Sequence, residues 1–180
     1  MKQANTKSVK MTYKALVSYI LNTNYRSASG VMGLTISVGS LAALIFTWNQ
    51  SNTQNKLVLL AVGLLFTVIN PLVLSFKAFR QLKLSPSYKK PIDYTFSDEG
   101  IGIRQGEQEV NLSWDMIVRL MLTKSMLAIY TSRMHAFVIP VSELGADGAK
   151  IITSVVQFTE NYGPRLSANL KAYRTGKGIK

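Results

Sequence analysis

The chain has 180 residues, of which 47% are hydrophobic and none is a cysteine. Twenty-one basic residues stand against nine acidic ones, so the net charge is +12 at pH 7. The lack of cysteine excludes disulfides, thiolate nucleophiles and metal sites ligated by cysteine. All nine acidic residues lie between Asp93 and Glu160, which leaves residues 1–90 with eleven basic residues and no acidic one.

Residues 1–28 form a basic N-terminal segment. Four apolar side chains recur there at helical spacing, on a face separate from Lys10 and Lys14: Tyr13, Leu16, Val17 and Ile20. One interpretation is a basic amphipathic helix that lies on the inner leaflet of a membrane. The alternative is that this segment packs on the soluble domain, either as a helix or, from Val9 to Tyr13, as an extra strand.

Two uncharged apolar stretches follow, at residues 29–48 and 57–76. Each is about as long as a helix needs to cross a hydrocarbon core of roughly 30 Å. The connecting loop, residues 49–56, is polar and too short to fold alone, so the pattern predicts a transmembrane hairpin. A cleaved signal peptide is a poorer interpretation of the first stretch, because its apolar run exceeds the roughly 7 to 15 residues of a signal core.

Basic residues flank this hairpin on both sides, whereas its connecting loop contains only Lys56. Lys and Arg near membrane spans are retained in the cytoplasm. The pattern therefore predicts a two-span protein of the cell membrane with both termini cytoplasmic. Anionic headgroups attract each such side chain by about 1 kcal/mol, which favours an anionic bilayer over nucleic acid as the partner of the basic residues. The predicted contacts with the membrane surface are Lys10, Lys14, Lys77, Arg80, Lys83, Lys89 and Lys90.

Small residues recur at every fourth position of the first span, at Ser29, Gly33 and Ser37. Such a face lets another helix approach closely, and either the second span or a second copy of the chain would fit it. In the second span, Asn70-Pro71 predicts a kink, with the Asn70 amide bonding across to the partner helix. Neither span contains a charged residue or histidine, which weakens an interpretation as a transport or pore subunit.

After a basic juxtamembrane linker, residues 77–90, the hydrophobic pattern changes to period two. Six short strands are predicted, at residues 92–96, 101–104, 110–112, 117–122, 126–131 and 136–139. Turn sequences separate them at short spacing, which requires antiparallel connections. The six strands predict an antiparallel meander sheet or a partial barrel.

A C-terminal helix is predicted from Asp147, its N-cap, to Tyr162. Its broad apolar face would close the open end of the sheet. Residues 91–163 are thus predicted to form a cytoplasmic α+β domain. Residues 164–180 form a basic tail, for which the interpretations are disorder, a frayed helix or a second contact with the membrane surface.

Three sequence blocks occur in order: Glu99-Gly100-Ile101, Ser113-Trp114-Asp115 and Phe137-Val138-Ile139-Pro140. They lie within the longer runs 94–101, 112–117 and 136–140, with Tyr130 before the last run. Together with their spacing, they resemble the YcxB-like family of bacterial membrane proteins. The resemblance implies a short cytoplasmic N-terminal segment, two membrane helices and a C-terminal β-rich domain. A sheet closed by a helix is also similar to the bacterial pleckstrin-homology-like domains. Most block residues have structural interpretations: Gly100 would permit a positive φ in a tight turn, and Trp114 would anchor the core.

Motifs for catalysis are absent from the sequence, including Gly-x-Ser-x-Gly, His-Glu-x-x-His and phosphate-binding glycine loops. We therefore expect no enzyme activity, cofactor or metal. The first hairpin turn carries Asp98 and Glu99, where a phosphate headgroup site would need Lys or Arg. The preferred hypothesis is an anchored module that binds a membrane or cytoplasmic protein through an acidic face that includes these two residues. The alternatives are an immunity-type or transporter-associated accessory subunit, and a small oligomeric pore.

Overall fold

A computed structural model describes residues 5–133 and 135–174. Its contacts divide the chain into two compact units, residues 20–81 and residues 1–19 together with 82–180. We call the first unit the helical hairpin and the second the β domain. These boundaries differ from the predicted ones, because both the N-terminal segment and the tail contribute strands to the β domain.

The helical hairpin consists of long apolar helices. Its elements are the end of α1 (Tyr13–Tyr25), α2 (Ala28–Phe46), α3 (Thr53–Leu64), a π-helical turn (Leu65–Ile69) and the start of α4 (Asn70–Leu84). Side chains of Ser27 and Asn52 cap the N-termini of α2 and α3 by accepting hydrogen bonds from backbone N–H groups three residues later. By length and composition, α2 and the continuous helix Thr53–Leu84 could each cross a membrane.

The second long helix extends beyond the predicted span. It runs for 32 residues, which corresponds to about 48 Å at 1.5 Å per residue. Residues 77–84, predicted as part of a linker, are therefore helical. Pro71 has no N–H to donate, and the helix stays continuous because the N–H of Asn70 bonds to the carbonyl of Leu65, five residues earlier, in a π-helical turn.

The β domain contains two four-stranded sheets. The first has the order β1-β2-β3-β4 and is antiparallel throughout. Its strands are β1 (Asn5–Val9), β2 (Ile92–Phe96), β3 (Gly100–Gln105) and β4 (Gln108–Ser113). The N-terminal segment does supply an extra strand, but that strand ends at Val9, and Tyr13 begins α1 rather than ending a strand.

The second sheet has the order β7-β6-β5-β8. Its strands are β5 (Arg119–Leu122), β6 (Met126–Tyr130), β7 (Ala136–Pro140) and β8 (Arg165–Leu166). The predicted strands therefore divide between two sheets instead of forming one, and they do not close into a barrel. The chain passes from the first sheet to the second at the 3-10 turn Trp114–Met116, which lies between β4 and β5.

The main core lies between the two sheets and α6 (Gly148–Thr159). A short helix, α5 (Val141–Leu144), precedes α6 and buries Leu144 in the same core. The predicted N-cap role of Asp147 is wrong, because its side chain makes no capping bond and its backbone is helical. Its carboxylate instead accepts a hydrogen bond from Lys7 of β1 at 2.8 Å.

The second sheet is buried on both faces, which explains why all five residues of β6 are buried. The side of this sheet that is turned away from the main core packs against the start of α1. There Ala15 is fully buried against a small apolar cluster: Met121, Met126, Ala128, Tyr130 and Val138. Much of the N-terminal segment is thus part of the β domain.

The tail also joins the β domain over its described part. The N–H of Arg165 donates to the carbonyl of Val118 at 3.1 Å, and β8 runs parallel to β5. The following helix, α7 (Ala168–Arg174), buries Leu170 in the main core. The interpretation of the tail as disordered is therefore wrong for residues 165–171, and residues 175–180 lie outside the described part.

Candidate functional site

The first sheet exposes a polar face that the main core does not use. Strand register aligns two rows of residues across its four strands. We call these two rows the outer face: Thr6, Thr95, Gly102 and Asn111 form one row, and Ser8, Asp93, Arg104 and Glu109 form the other. The side chains are short in the first row, and Thr6 and Thr95 share a hydrogen bond of 3.0 Å.

A shallow groove follows the first row. Gly102 has no side chain at the centre of the row, and a Cβ there would lie 3.4 Å from the Asn111 amide oxygen and 3.5 Å from Thr95 Cβ. Two adjoining depressions of about 270 and 290 Å³ share Ser97, Gly102 and Asn111 in their lining. The outer face is therefore concave along a line that crosses the strands.

The turn that carries the predicted partner-binding residues is held at one end of this face. Trp114, 2% exposed, donates a hydrogen bond from Nε1 to the carbonyl of Ser97 at 3.1 Å. The Ser97 hydroxyl in turn bonds to the backbone of Gly100. This network leaves Asp98 and Glu99 exposed at the tip. Adjacent residues of a rigid turn thus present two carboxylates to solvent.

The prediction that Gly100 is needed for a positive φ was wrong. Its φ is not positive, so it is not required for a left-handed conformation. A Cβ at this position would instead overlap the carbonyl of Leu112 on the neighbouring strand. Glycine is thus required here because β3 and β4 approach closely at this point.

Acidic residues are concentrated in β2, β3 and β4 and the turns beside them. Residues 92–116 contain six acidic residues and one basic residue, Arg104, although the whole chain has a net charge of +12. Arg104 lies 3.6 Å from Asp93, which leaves the acidic residues in excess. Among residues 5–133 and 135–174, no group of three or more His, Cys, Asp or Glu side chains is arranged to hold a metal ion.

The predicted membrane-surface residues are all exposed. Lys10 lies in the β1–α1 connection, Lys14 is on α1, and Lys89 and Lys90 precede β2. The remaining three, Lys77, Arg80 and Lys83, are on α4.

The small residues predicted for helix packing behave differently from one another. Gly33 and Ser37 are buried, and a Cβ on Gly33 would overlap the Phe66 ring. The Ser37 hydroxyl donates to the carbonyl of Val62 at 2.8 Å and accepts from the N–H of Phe66 at 3.2 Å. Ser29 is exposed and bonds only with Ser27 in the described hydrogen bonds.

Asn70 bonds to a helix other than the predicted one. Its amide donates to Asn24 Oδ1 at 3.1 Å and to the Tyr25 hydroxyl at 3.4 Å. Both residues belong to α1 rather than α2. The Tyr25 hydroxyl also donates to the carbonyl of Phe66, in the π-helical turn. This polar cluster therefore satisfies backbone and side-chain groups inside the helical hairpin.

The ion pair between Lys7 and Asp147 ties the first strand to the segment before α6. The hydrogen bond from Lys7, with its positive charge, holds the pKa of Asp147 below the ordinary value of 3.8. The Asp147 side chain is 43% exposed, so the pair contributes modestly to stability.

Comparison with known families gives a match to part of the β domain. Residues 96–151 match the family model of the YcxB-like protein. The resemblance predicted from the sequence is thereby confirmed over these residues. The YcxB-like region contains the Ser97–Gly100 turn, Trp114, all three predicted blocks and the start of α6. No curated protein matches the chain significantly.

Within the YcxB-like region, the residues of the sequence blocks mainly maintain the fold. Trp114, Ser97 and Gly100 form the network that fixes the turn, and Ile139 and Pro140 are buried in β7. The groove residues Gly102 and Asn111 were not predicted as site residues. Their signal was the polar alternate position of each strand, but the strand register was needed to align them.

Proposed function

We propose that this chain is a two-span membrane protein whose β domain is a non-catalytic interaction module at the cytoplasmic surface. The polarity of the helical hairpin supports the membrane part of the proposal. In the most apolar 18-residue stretch of the helix Thr53–Leu84, only 6% is buried. In the corresponding stretch of α2, 17% is buried. Such outward apolar surface suits lipid rather than water.

Pairing of β1 with β2 supports the proposed topology. Val9 pairs with Ile92, so the two strands on either side of the inserted hairpin belong to one sheet. A sheet cannot form across a bilayer, and the segment between these strands must therefore leave and return on the same side. Two spans meet this requirement, and the basic flanks favour the cytoplasmic side.

The acidic excess of residues 92–116, on the outer face and in the turns beside it, is the observation on which the interaction role depends. A basic chain that lies against anionic lipid concentrates six acidic residues in residues 92–116. Anionic headgroups repel such a surface, whereas a basic protein surface would be attracted to it. The groove at Gly102 adds a concave contact area. Protein capture thus fits this face better than phosphoinositide capture.

The architecture also supports a likeness to pleckstrin-homology-like domains. Seven strands, β1 to β7, form two antiparallel layers, and α6 packs against both through the main core. On this interpretation the membrane hairpin is an insertion between the first two strands. The likeness concerns the fold, and the binding role is argued from the outer face alone.

The pore alternative receives less support from the hairpin. Within the hairpin, the buried Ser37 bonds to Val62 and Phe66, and the half-buried Asn70 bonds to Asn24 and Tyr25. These groups are thus already satisfied and do not form the row of available polar groups that lines an ion path.

The topology is tested by labelling of single cysteines, which the cysteine-free chain permits. We expect Asn52→Cys in the α2–α3 connection to react with a membrane-impermeant maleimide in intact cells. Ser8→Cys and Lys124→Cys should react only after permeabilisation. Labelling of Asn52→Cys and Lys124→Cys under the same conditions would contradict the two-span topology.

The interaction role is tested by co-purification of the tagged full chain from its native membrane. We expect the double variant Asp98→Lys, Glu99→Lys to lose specific protein partners that the unaltered chain retains. The matched control reverses two exposed acidic residues outside the first sheet, Glu143→Lys and Glu160→Lys, and should retain them. An unchanged partner list in the first variant would reject the role of the acidic turn.

A further inference from the structure

The β domain has an unequal set of strand edges. Its two sheets end in β1, β4, β7 and β8. Both β1 and β7 contact α5, and β8 is only two residues long. β4 is six residues long, and its main contacts are with β3. Over the described chain, no backbone hydrogen bond reaches β4 from the side away from β3. β4 is thus the longest uncovered edge.

The register of β3 with β4 identifies the backbone groups on this edge. The two strands are joined by a two-residue turn at Gly106, with φ of 63°, and Glu107. In such a hairpin the flanking residues, Gln105 and Gln108, form a hydrogen-bonded pair, and bonded and non-bonded pairs then alternate. The N–H and C=O groups of Glu109, Asn111 and Ser113 therefore face away from β3.

Apart from the charge of Glu109, β4 lacks the features that normally protect a strand edge. The strand contains no Pro or Lys, and its pairing with β3 is continuous from Gln108 to Ser113. Val110 pairs with Ile103, which is 7% exposed, yet Val110 itself is 52% exposed. It is thus an exposed apolar residue on the core-facing side, next to the edge where a strand would be added.

Charge determines what kind of strand fits. Glu109 lies on β4 itself and Glu107 in the preceding turn. On the outer-face row of Glu109, Arg104 is the cross-strand neighbour of Glu109 and lies 3.6 Å from Asp93, so that row carries two acidic residues and one basic residue. An acidic strand would be repelled. A second copy of β4 would also bring acidic strands side by side, which is unfavourable for like charges on adjoining strands. Basic side chains at alternate positions would instead extend over the outer face.

We infer that the free edge of β4 binds an extended basic segment of a partner protein by strand addition. The partner backbone pairs with Glu109, Asn111 and Ser113, and its Lys or Arg side chains reach across β4 towards Glu109 and the groove. This inference rests on the proposed interaction role and specifies its surface. Main-chain pairing supplies affinity, and the excess of Asp93, Glu107 and Glu109 over Arg104 selects the sign of charge.

The test is hydrogen exchange of the full-length protein in detergent micelles, read by mass spectrometry. The probe is an acetylated heptapeptide of alternating Arg and Val, and its control replaces each Arg by Glu. At saturation we expect the basic probe to slow exchange of the edge amides in residues 108–113 by about tenfold. The acidic probe should leave their exchange unchanged.

A matched pair of variants separates strand addition from simple charge attraction. Asn111→Pro removes an N–H that faces away from β3, a position where an edge strand tolerates proline, and should abolish the slowing. Asn111→Ala keeps the N–H and should preserve it. A third variant, Glu109→Lys, leaves the backbone intact and should weaken binding of the basic probe by about tenfold. If the Asn111→Pro protein does not fold, Glu109→Lys is used as the test in its place.

Several results would overturn the edge site. These are equal slowing by both probes, no slowing in residues 108–113 at saturation, or retained slowing in Asn111→Pro. Protection confined to the turn at Asp98 and Glu99 would indicate acidic capture without strand addition. That result would leave the proposed interaction role standing, because co-purification with the Asp98→Lys, Glu99→Lys variant tests the role separately.

Discussion

The helical hairpin and the β domain bury opposite kinds of residue. In the hairpin, Phe46 and Ile45 are 85% and 73% exposed, while small residues such as Gly33 and Ser37 are buried. In the β domain, Trp114 and Leu127 are 2% and 0% exposed, and polar residues cover the outer face. The two units are therefore packed in different ways. Close backbone approach organises the hairpin, and burial of large apolar side chains organises the β domain.

The largest expected effect is at the centre of the β domain. Trp114→Ala removes a buried ring, its stacking on Phe158 at 5.3 Å and the hydrogen bond to Ser97. We expect a loss of about 3–5 kcal/mol in the stability of this domain. Trp114→Phe keeps most of the packing and should cost about 1–3 kcal/mol. Thermal unfolding followed by near-ultraviolet circular dichroism measures both, and equal stabilities for the two variants would contradict the anchoring role.

The next effect tests whether lipid surrounds the hairpin. Ile36 lies on α2 and is 51% exposed. In a membrane span, Ile36→Asp should raise the insertion free energy by about 3 kcal/mol, whereas on a water-exposed surface it would be nearly neutral. A translocon insertion assay on the α2 segment measures the difference. Ile36→Leu is the matched control and should insert like the original sequence.

A smaller effect distinguishes the two sides of the same helix. Gly33→Leu would overlap the Phe66 ring, which must then shift, and we expect a cost of about 1–3 kcal/mol in hairpin stability. Gly39 has open space around its Cα, so Gly39→Leu should be neutral. Unfolding in mixed micelles of increasing denaturing detergent compares them. Equal sensitivity at both positions would argue against close backbone packing as the organising rule.

The smallest effect concerns the exposed ion pair of the β domain. Because the pKa of Asp147 is lowered by Lys7, its contribution to stability is present above the ordinary pKa of 3.8 and is lost as pH falls below it. We expect Asp147→Asn to unfold at a slightly lower temperature than the unaltered chain at pH 7, and at the same temperature near pH 2. A difference that persists at low pH would show that another contact is responsible.

Periodicity predicted the elements whose partners are close in the sequence. The pattern in Ile92–Phe96 and Ala136–Pro140 was enough, because each strand packs on a core and pairs with a strand next to it along the chain, β3 and β6 respectively. The apolar stretches gave α2 and most of the second long helix for a similar reason. The length of an apolar stretch and its lack of charged residues can be read from the sequence without knowing any distant partner.

Elements with distant partners were harder to predict. β1 is polar except for Val9 and pairs with a strand about 80 residues later, and β8 has only two residues. Nothing local to either segment encodes a strand. The groove at Gly102 depends on the register of four strands, so no single segment predicts it. The Asp147 interaction was missed for the same reason, since its partner, Lys7, is 140 residues away.

The pairing of β1 with β2 imposes an order on biosynthesis. β1 leaves the ribosome first and must wait, without its partner, until about 80 further residues have been made. At about 5–20 residues per second this delay is roughly 4 to 16 s, and the intervening residues are those of the helical hairpin. Completion of the first sheet is therefore delayed until the hairpin has been synthesised. The first sheet can therefore be completed only after the helices between β1 and β2 have been placed so that β2 can reach β1.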